Sequence, residues 1–448
     1  MLALPLQADP ATIAEGVNLL WVLVAAFLVF FMHAGFGMLE SGQVRSKNVA
    51  NQLTKNVLTW GVGVMAYFFV GAGVSALVAA VTTGGSTAGA FSYLNGGSTV
   101  WANWLFGAAF SMVAASIVSG AVAERAQLGG YLVFTVVVGA LIYPVATGLT
   151  WGGGFLAELG FQDFAGAAVV HMTGGVCGLT AAYVIGPRID KYDDDGSANV
   201  IPGHSLPYAI LGTLILAFGW FGFNVGTAVE VFQVTDSGEL ALGDYAYAGR
   251  VALNTALVMA AGSIGAAAVG YVRRGKVDTL MTANGLLAGL VSVCSIAAVS
   301  SWGGTLVVGL IAGIQVPLVF EGLERAGIDD VCAVFPVHGS AGLLSALAVP
   351  FVDTTSTFAV SQLVAQIAGV VVLGAWAAGI TLLVYGTLKA VGWARVSRDE
   401  EIEGLDAAEH GIETYPEFGK NIVNDVTTPG GPPEGTPAAD GGEVTDDD

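Results

Sequence analysis

Runs of about twenty residues without a charged side chain recur along this chain from Val17 to Leu388. In hydrocarbon, such a run satisfies its backbone polar groups only by coiling into a helix. The chain is therefore predicted to be an all-α integral membrane protein. The period-two alternation of a barrel strand is absent from these runs. Eleven transmembrane helices are predicted, near 17–39, 57–81, 100–123, 130–150, 164–185, 206–229, 251–272, 280–299, 302–320, 331–352 and 358–388. The eighth and ninth are parted only by SSWGG, and the eleventh is long enough to tilt or project beyond the bilayer. The 64 glycines fit close packing between such helices.

Basic residues orient the spans. Arg45, Lys47 and Lys55 follow the first, Arg125 the third, and Arg188 and Lys191 the fifth. Arg273, Arg274 and Lys276 follow the seventh, and Arg325 the ninth. Lys389, Arg395, Arg398 and Lys420 follow the eleventh, and only Arg250 falls on the other side. The positive-inside rule then places the N-terminus outside and the C-terminus in the cytoplasm. The opening stretch MLALPLQADPATIAEG has no basic n-region, so no cleaved signal is expected. After the membrane domain, 17–388, a polar segment at 389–425 holds spaced apolar residues and is predicted to order on a surface. The acidic end, 426–448, is rich in Pro, Gly and Asp and is predicted to be disordered.

A net charge of −20 argues against a nucleic-acid partner and fits a solvated acidic surface in a high-salt cytoplasm. Cys177, Cys294 and Cys332 lie in or beside apolar runs, too far apart for a metal motif. They read as small packing residues with no disulfide framework.

Two histidines interrupt the apolar runs. His171 lies in AAVVHMTGG and His338 in AVFPVHGSAG. Asp163 and Asp330 each stand eight residues before their histidine, and Gly175 and Gly342 each stand four after. GFG at 35–37 and GFN at 222–224 echo one another in spans one and six. These echoes make spans one to five (17–185) a repeat of spans six to ten (206–352). An odd number of helices per repeat makes the repeats inverted, with a site expected near the midplane at their interface. Eight residues of helix rise about 12 Å, which carries both histidines from opposite edges to a similar depth. One such histidine would be read as a helix–helix contact; a matched pair is read as lining a polar path. No carboxylates or thiolates gather at that depth, so no metal is expected. Asp163 is read as a cap on the N-terminus of span five. His33 reads as a helix–helix hydrogen-bonding group, and His204 and His410 as solvated.

From about Asn18 to Phe418 the sequence resembles the ammonium transporter (Amt/Mep) family, related to the Rhesus proteins. The resemblance rests on GFGMLESGQVRSKN, SGAVAERAQ, WGGGFLAELGFQDFAGAAVVHMTGG, GWFGFNVGTA, DDVCAVFPVHGSAGLL and GLDAAEHG. It implies eleven helices in two inverted halves and a homotrimer with one pore per subunit. It also implies ammonium and methylammonium as substrates. By that resemblance Trp151 and Phe106 line an outer vestibule, and Phe110 and Phe223 are the stacked rings that close the pore beneath it. Thr227 stands where many members have serine. His171 and His338 are the twin pore histidines, Trp220 is an inner aromatic beside them, and Asp163 organises the backbone below the vestibule. The tail at Glu403–Phe418 implies a PII-type (GlnK-like) regulatory partner on the cytoplasmic face, whose contacts could include Arg188, Arg273 and Arg274. Ammonium uptake is the leading expectation. A Rhesus-like neutral gas channel and an ammonium sensor signalling through the tail are the alternatives. No nucleophile or metal constellation suggests an enzyme.

Overall fold

The computed structural model of the chain describes residues 9–416, apart from 229 and 244. Ten helices among them are long and apolar enough to cross a membrane, and an eleventh is apolar but shorter. In chain order they are α1 (Pro10–Gln43), α2 (Ser46–Thr83), α3 (Ser98–Ala121), α4 (Leu128–Leu149), α5 (Ala167–Ile185) and α6 (Leu206–Thr227). Then come α7 (Tyr245–Arg274), α8 (Thr279–Val293, the short one), α9 (Trp302–Arg325), α10 (Phe335–Val352) and α11 (Val360–Ala390). Side-chain caps mark several starts: Ser205 accepts from Tyr208 N before α6, Asp278 from Met281 N before α8, and Ser301 from Gly304 N before α9. A small hairpin, β1 (Phe232–Val234) and β2 (Leu240–Leu242), follows α6 and is clamped to α1 through the Asn18 amide.

Several predicted boundaries need correction, and two of them change how side chains are read. The eighth run, 280–299, is helical only to Val293. Residues 294–300 turn irregularly although they carry no charge. Their carbonyls are met by buried polar side chains: Asn254 Nδ2 donates to Ala297 O and Ser300 O, and Arg250 donates to Ala298 O. Irregular backbone in an apolar layer needs such protein partners. The second run begins too late in the sequence reading. Its helix already includes Lys55, which is fully buried and is no loop cation.

Packing joins helices that are far apart in the chain. α1 runs against α6, where a methyl on Gly212 would lie 2.6 Å from Gly35 O. α5 meets α10, and α7, α8 and α9 form a second bundle. His33 joins α1 to α3 through Ser116 Oγ at 3.2 Å, as expected of it.

The tail after α11 folds back as two short helices, α12 (Arg398–Glu403) and α13 (Leu405–His410). A Ser397–Glu400 capping box starts α12. Asp406 then accepts from Ala50 N and Asn51 N near the start of α2, and Glu409 accepts from Leu128 N at the start of α4. Tail carboxylates thus meet amides that have no partner in their own helices. His204 and His410 are not simply solvated: His204 contacts Val44 O and Tyr415 Oη, and His410 lies 3.1 Å from Asn51 Nδ2. The predicted end of the 389–425 segment and all of 426–448 lie outside the described residues.

Candidate functional site

α5 and α10 are built alike. Asp163 accepts from the backbone N–H groups of Ala167, Ala168 and Val169 at 2.8–2.9 Å, and from Ser295 Oγ at 2.7 Å. Its carboxylate is occupied as a cap. Asp330 accepts from Val334 N and Phe335 N at 2.9 and 2.7 Å. Each helix then opens with a π-helical turn, Ala167–Met172 and Phe335–Ser340, and each turn carries the histidine. Such turns recur at functional positions because they re-aim a side chain. The glycines four residues on allow reciprocal contact. A methyl on Gly175 would lie 2.6 Å from Gly339 Cα, and one on Gly342 would lie 2.9 Å from Met172 N.

This close approach places His171 and His338, both buried, with Nδ1 against Nδ1 at 3.2 Å. The ring centroids are 5.3 Å apart and the planes 20° from parallel. That spacing sets the rings edge to edge; face-to-face rings come much closer, as Phe110 and Phe223 do at 3.9 Å. The contact is a hydrogen bond when one Nδ1 carries a proton and the other does not. His171 Nε2 has no hydrogen-bond partner among the described residues.

Aromatic rings continue from the pair toward Asp163. Trp220 and Phe223 lie 5.0 and 5.1 Å from His171. Phe110 and Phe223 are stacked at 17°, and Phe106 leans on Phe110 at 4.7 Å. Trp151 meets Phe110 edge-on at 6.1 Å, donates its indole N–H to Asp163 O at 2.7 Å, and is 42% exposed. Gly166, with φ +93°, permits that approach, since a Cβ there would lie 2.9 Å from the indole. Thr227, one turn from Phe223, donates its hydroxyl to Phe223 O at 2.9 Å, which leaves its oxygen able to accept. The residues expected at the site thus form one connected group.

Sequence reasoning missed Cys294 and Ser295. Cys294 is more than packing: its sulfur accepts from Trp220 Nε1 at 3.2 Å, while Ser295 steadies Asp163. Only the unforeseen break after Val293 brings them there. Glu40 and Asn284, on the other side of His338, were missed as well. With His338 they line a small cavity.

On the tail side of the pair lies a network of charges. Arg188 binds Asp329 through Nε at 2.8 Å and Glu124 through Nη1 at 2.7 Å, and Arg45 adds a second pair to Glu124. Burial would raise the Glu124 carboxyl, but Arg188 and Arg45 outweigh it and hold the group at about 2. Asp329 is likewise held well below the usual carboxylate range despite its burial, chiefly by Arg125 and Arg188. Arg188 is only 5% exposed, so it cannot offer a docking surface as the sequence suggested. Arg273, paired with Glu321, and Arg274, paired with Asp278, remain at the surface.

Residues 20–415 match the Ammonium Transporter Family. The chain belongs to that family. The ammonium transporter Amt2 of Haloferax mediterranei is 57% identical over 425 residues, covering 92% of this chain and 93% of its own. Amt1 of the same organism is 49% identical over 427 residues, covering 93% of this chain and 82% of its own. A solved structure titled Sensor Amt Protein is 33% identical with a TM-score of 0.81, covering 89% of this chain and all of its own. Mep2 of Saccharomyces cerevisiae, 24% identical, shares the fold with a TM-score of 0.74 over 89% of this chain and 93% of its own. This family member is thus a multi-pass membrane protein, and its family is one of transporters.

Proposed function

We propose that this transporter recruits ammonium at Trp151, admits ammonia past Phe110 and Phe223, and conducts it along His171 and His338. In this reading α8 crosses with the other ten helices, the two five-helix halves are inverted repeats, the N-terminus lies outside and the tail is cytoplasmic. The edge-to-edge histidine contact beneath the phenylalanine stack carries the proposal. An aromatic face attracts a desolvated cation by up to about 2 kcal/mol. Phe106 completes that surface, and the Thr227 oxygen and nearby carbonyls accept the N–H bonds that ammonium has and potassium lacks. Asp163 holds the backbone beneath the vestibule and binds no cation itself. Beyond the stacked rings a bare charge is costly, whereas ammonia can hydrogen-bond to the imidazoles.

The pair also relays a proton, exchanging the tautomers of its two rings. When neutral, one ring presents a bare Nε2 and the other an Nε2–H. A proton taken up at the first drives the Nδ1 proton across and releases one from the second. Two imidazolium ions in contact would repel strongly, so the pair holds at most one extra proton near neutral pH. Trp220, steadied by Cys294, fixes the rings. In reconstituted vesicles, ammonium and methylammonium should permeate and potassium should be largely excluded. Equal ammonium and potassium permeability would defeat the reading.

The resemblance further implies a homotrimer and a nucleotide-sensitive PII-type partner at the tail face, where Arg273 and Arg274 lie at the surface. A second reading, in which ammonium occupancy is signalled through the tail, is favoured by the neighbour titled Sensor Amt Protein. It requires that ammonium change the protease sensitivity of α12 and α13.

A further inference from the structure

Two buried polar side chains lie beyond His338 and take no part in the conduction path above. Glu40 on α1 accepts from Gln52 Nε2 at 2.6 Å and from Asn56 Nδ2 at 2.8 Å, and the Ser119 hydroxyl lies 2.7 Å from both of its oxygens. Asn284 on α8 is 1% exposed, and neither its amide oxygen nor its nitrogen has a partner among the described residues. Glu40, Asn284 and His338 line one cavity, with Phe36, Ile117 and Val337 as its apolar walls. Its volume of about 10 Å³ suits a single water-sized molecule. A buried amide with both faces open at such a space calls for a guest that donates and accepts hydrogen bonds. An ionisable group at this depth also calls for a role beyond packing.

Building on the histidine reading above, we propose that this cavity is the exit station for the transported proton, with Glu40 as its acceptor. A water held by Asn284 bridges His338 and Glu40. An N–H bond of His338 breaks as an O–H bond forms on the water, and the other side of the water breaks an O–H bond as Glu40 gains one. Glu40 then gives the proton to water in the cavity of about 450 Å³ lined by Gly42 and Gln43, farther along the same helix, and returns to carboxylate. Gln52, Asn56 and Ser119 fix the Glu40 carboxylate in place at the cavity. Ammonia and proton thus leave the histidine pair by different partners and meet again at the mouth.

The test measures charge and ammonia separately in the full-length protein reconstituted in sealed vesicles. Ammonium-evoked current is recorded on a solid-supported bilayer, and lumenal pH is followed with a trapped dye. Wild type should give current with little lumenal alkalinisation, because each ammonia arrives with its proton. Glu40→Gln and Asn284→Leu should each cut the current about tenfold or more. Ammonia should still enter, take a proton from lumenal water and raise the pH. Glu40→Asp should recover part of the current. Variants that keep wild-type current would overturn the proposal. So would variants that melt like wild type yet lose current with no rise in lumenal pH, since that is the outcome of a merely structural glutamate. A wild-type protein giving neither signal would instead overturn the ammonium reading itself.

Discussion

α5 and α10 perform the same construction with different surroundings. In each, an aspartate eight residues upstream caps the helix, a π-helical turn aims the histidine, and a glycine admits the other helix. The α5 start is held by three backbone amides and a serine, turns at glycine, and faces an indole. The α10 start has two amides, turns at Ala333 with φ 55°, and adjoins the Asp329–Arg188–Glu124 network. The meeting of the two histidines comes from what the two helices share. Where they differ, one end meets aromatic rings and the other meets a network of paired charges.

The aspartates should separate the two ends most sharply. Asp163→Ala strands three buried amides and a hydroxyl, at about 1–3 kcal/mol each. A loss of about 4 kcal/mol or more is expected, enough to lower the yield of folded protein on gel filtration. Asp330→Ala strands two amides and should cost about half as much by the same reckoning. Equal losses would mean that the caps are not what holds these helices. Next, Glu124→Gln should cost about 2–3 kcal/mol by removing one charged partner of Arg188. The folded Glu124 carboxyl lies at about 2, below its unfolded value near 4.3. Its stabilisation is therefore full above the unfolded value and is lost as pH falls toward the folded one. The melting-temperature gap between wild type and Glu124→Gln should be equal at pH 8 and pH 6 and shrink between about pH 4 and 2. A gap that shrinks between pH 8 and 6 would contradict the pairing. The smallest effects should have opposite signs. Gly166→Ala forces a Cβ toward Trp151 at positive φ and should cost about 1–2 kcal/mol. Ala333→Gly should be neutral or gain up to about 1 kcal/mol by relieving its backbone. Thermal melts of both proteins check the contrast.

Much of this was legible in the sequence because hydrocarbon tolerates so few arrangements. Charge-free runs placed most helices within a few residues, and the matched Asp–His–Gly spacings located the pair. Lys55 misled because a lysine in sequence does not show that its helix has already begun. The turn at 294–300 was hidden because the residues that satisfy its carbonyls, Arg250 and Asn254, lie more than forty positions away. His204 looked solvated for the same reason, its partner Tyr415 being 211 residues distant. Glu40 and Asn284 sit in otherwise ordinary helix sequence, and only folding brings them to one cavity. The aromatic group was recognised through the family resemblance; taken singly, each ring could have been packing.

The central claim is that the 3.2 Å imidazole contact admits ammonia and excludes hydrated cations. Its most direct test is the ratio of ammonium to potassium permeability in vesicles containing wild type, His171→Asp or His338→Ala. All three proteins must elute alike and pass ammonium. A carboxylate or a wider gap at the pair should let whole cations through, so the ratio should fall about tenfold or more, a change of about 1.4 kcal/mol in discrimination. Variants that keep the wild-type ratio would show that the two histidines only hold α5 and α10 together, and that selection lies wholly at the aromatic stack.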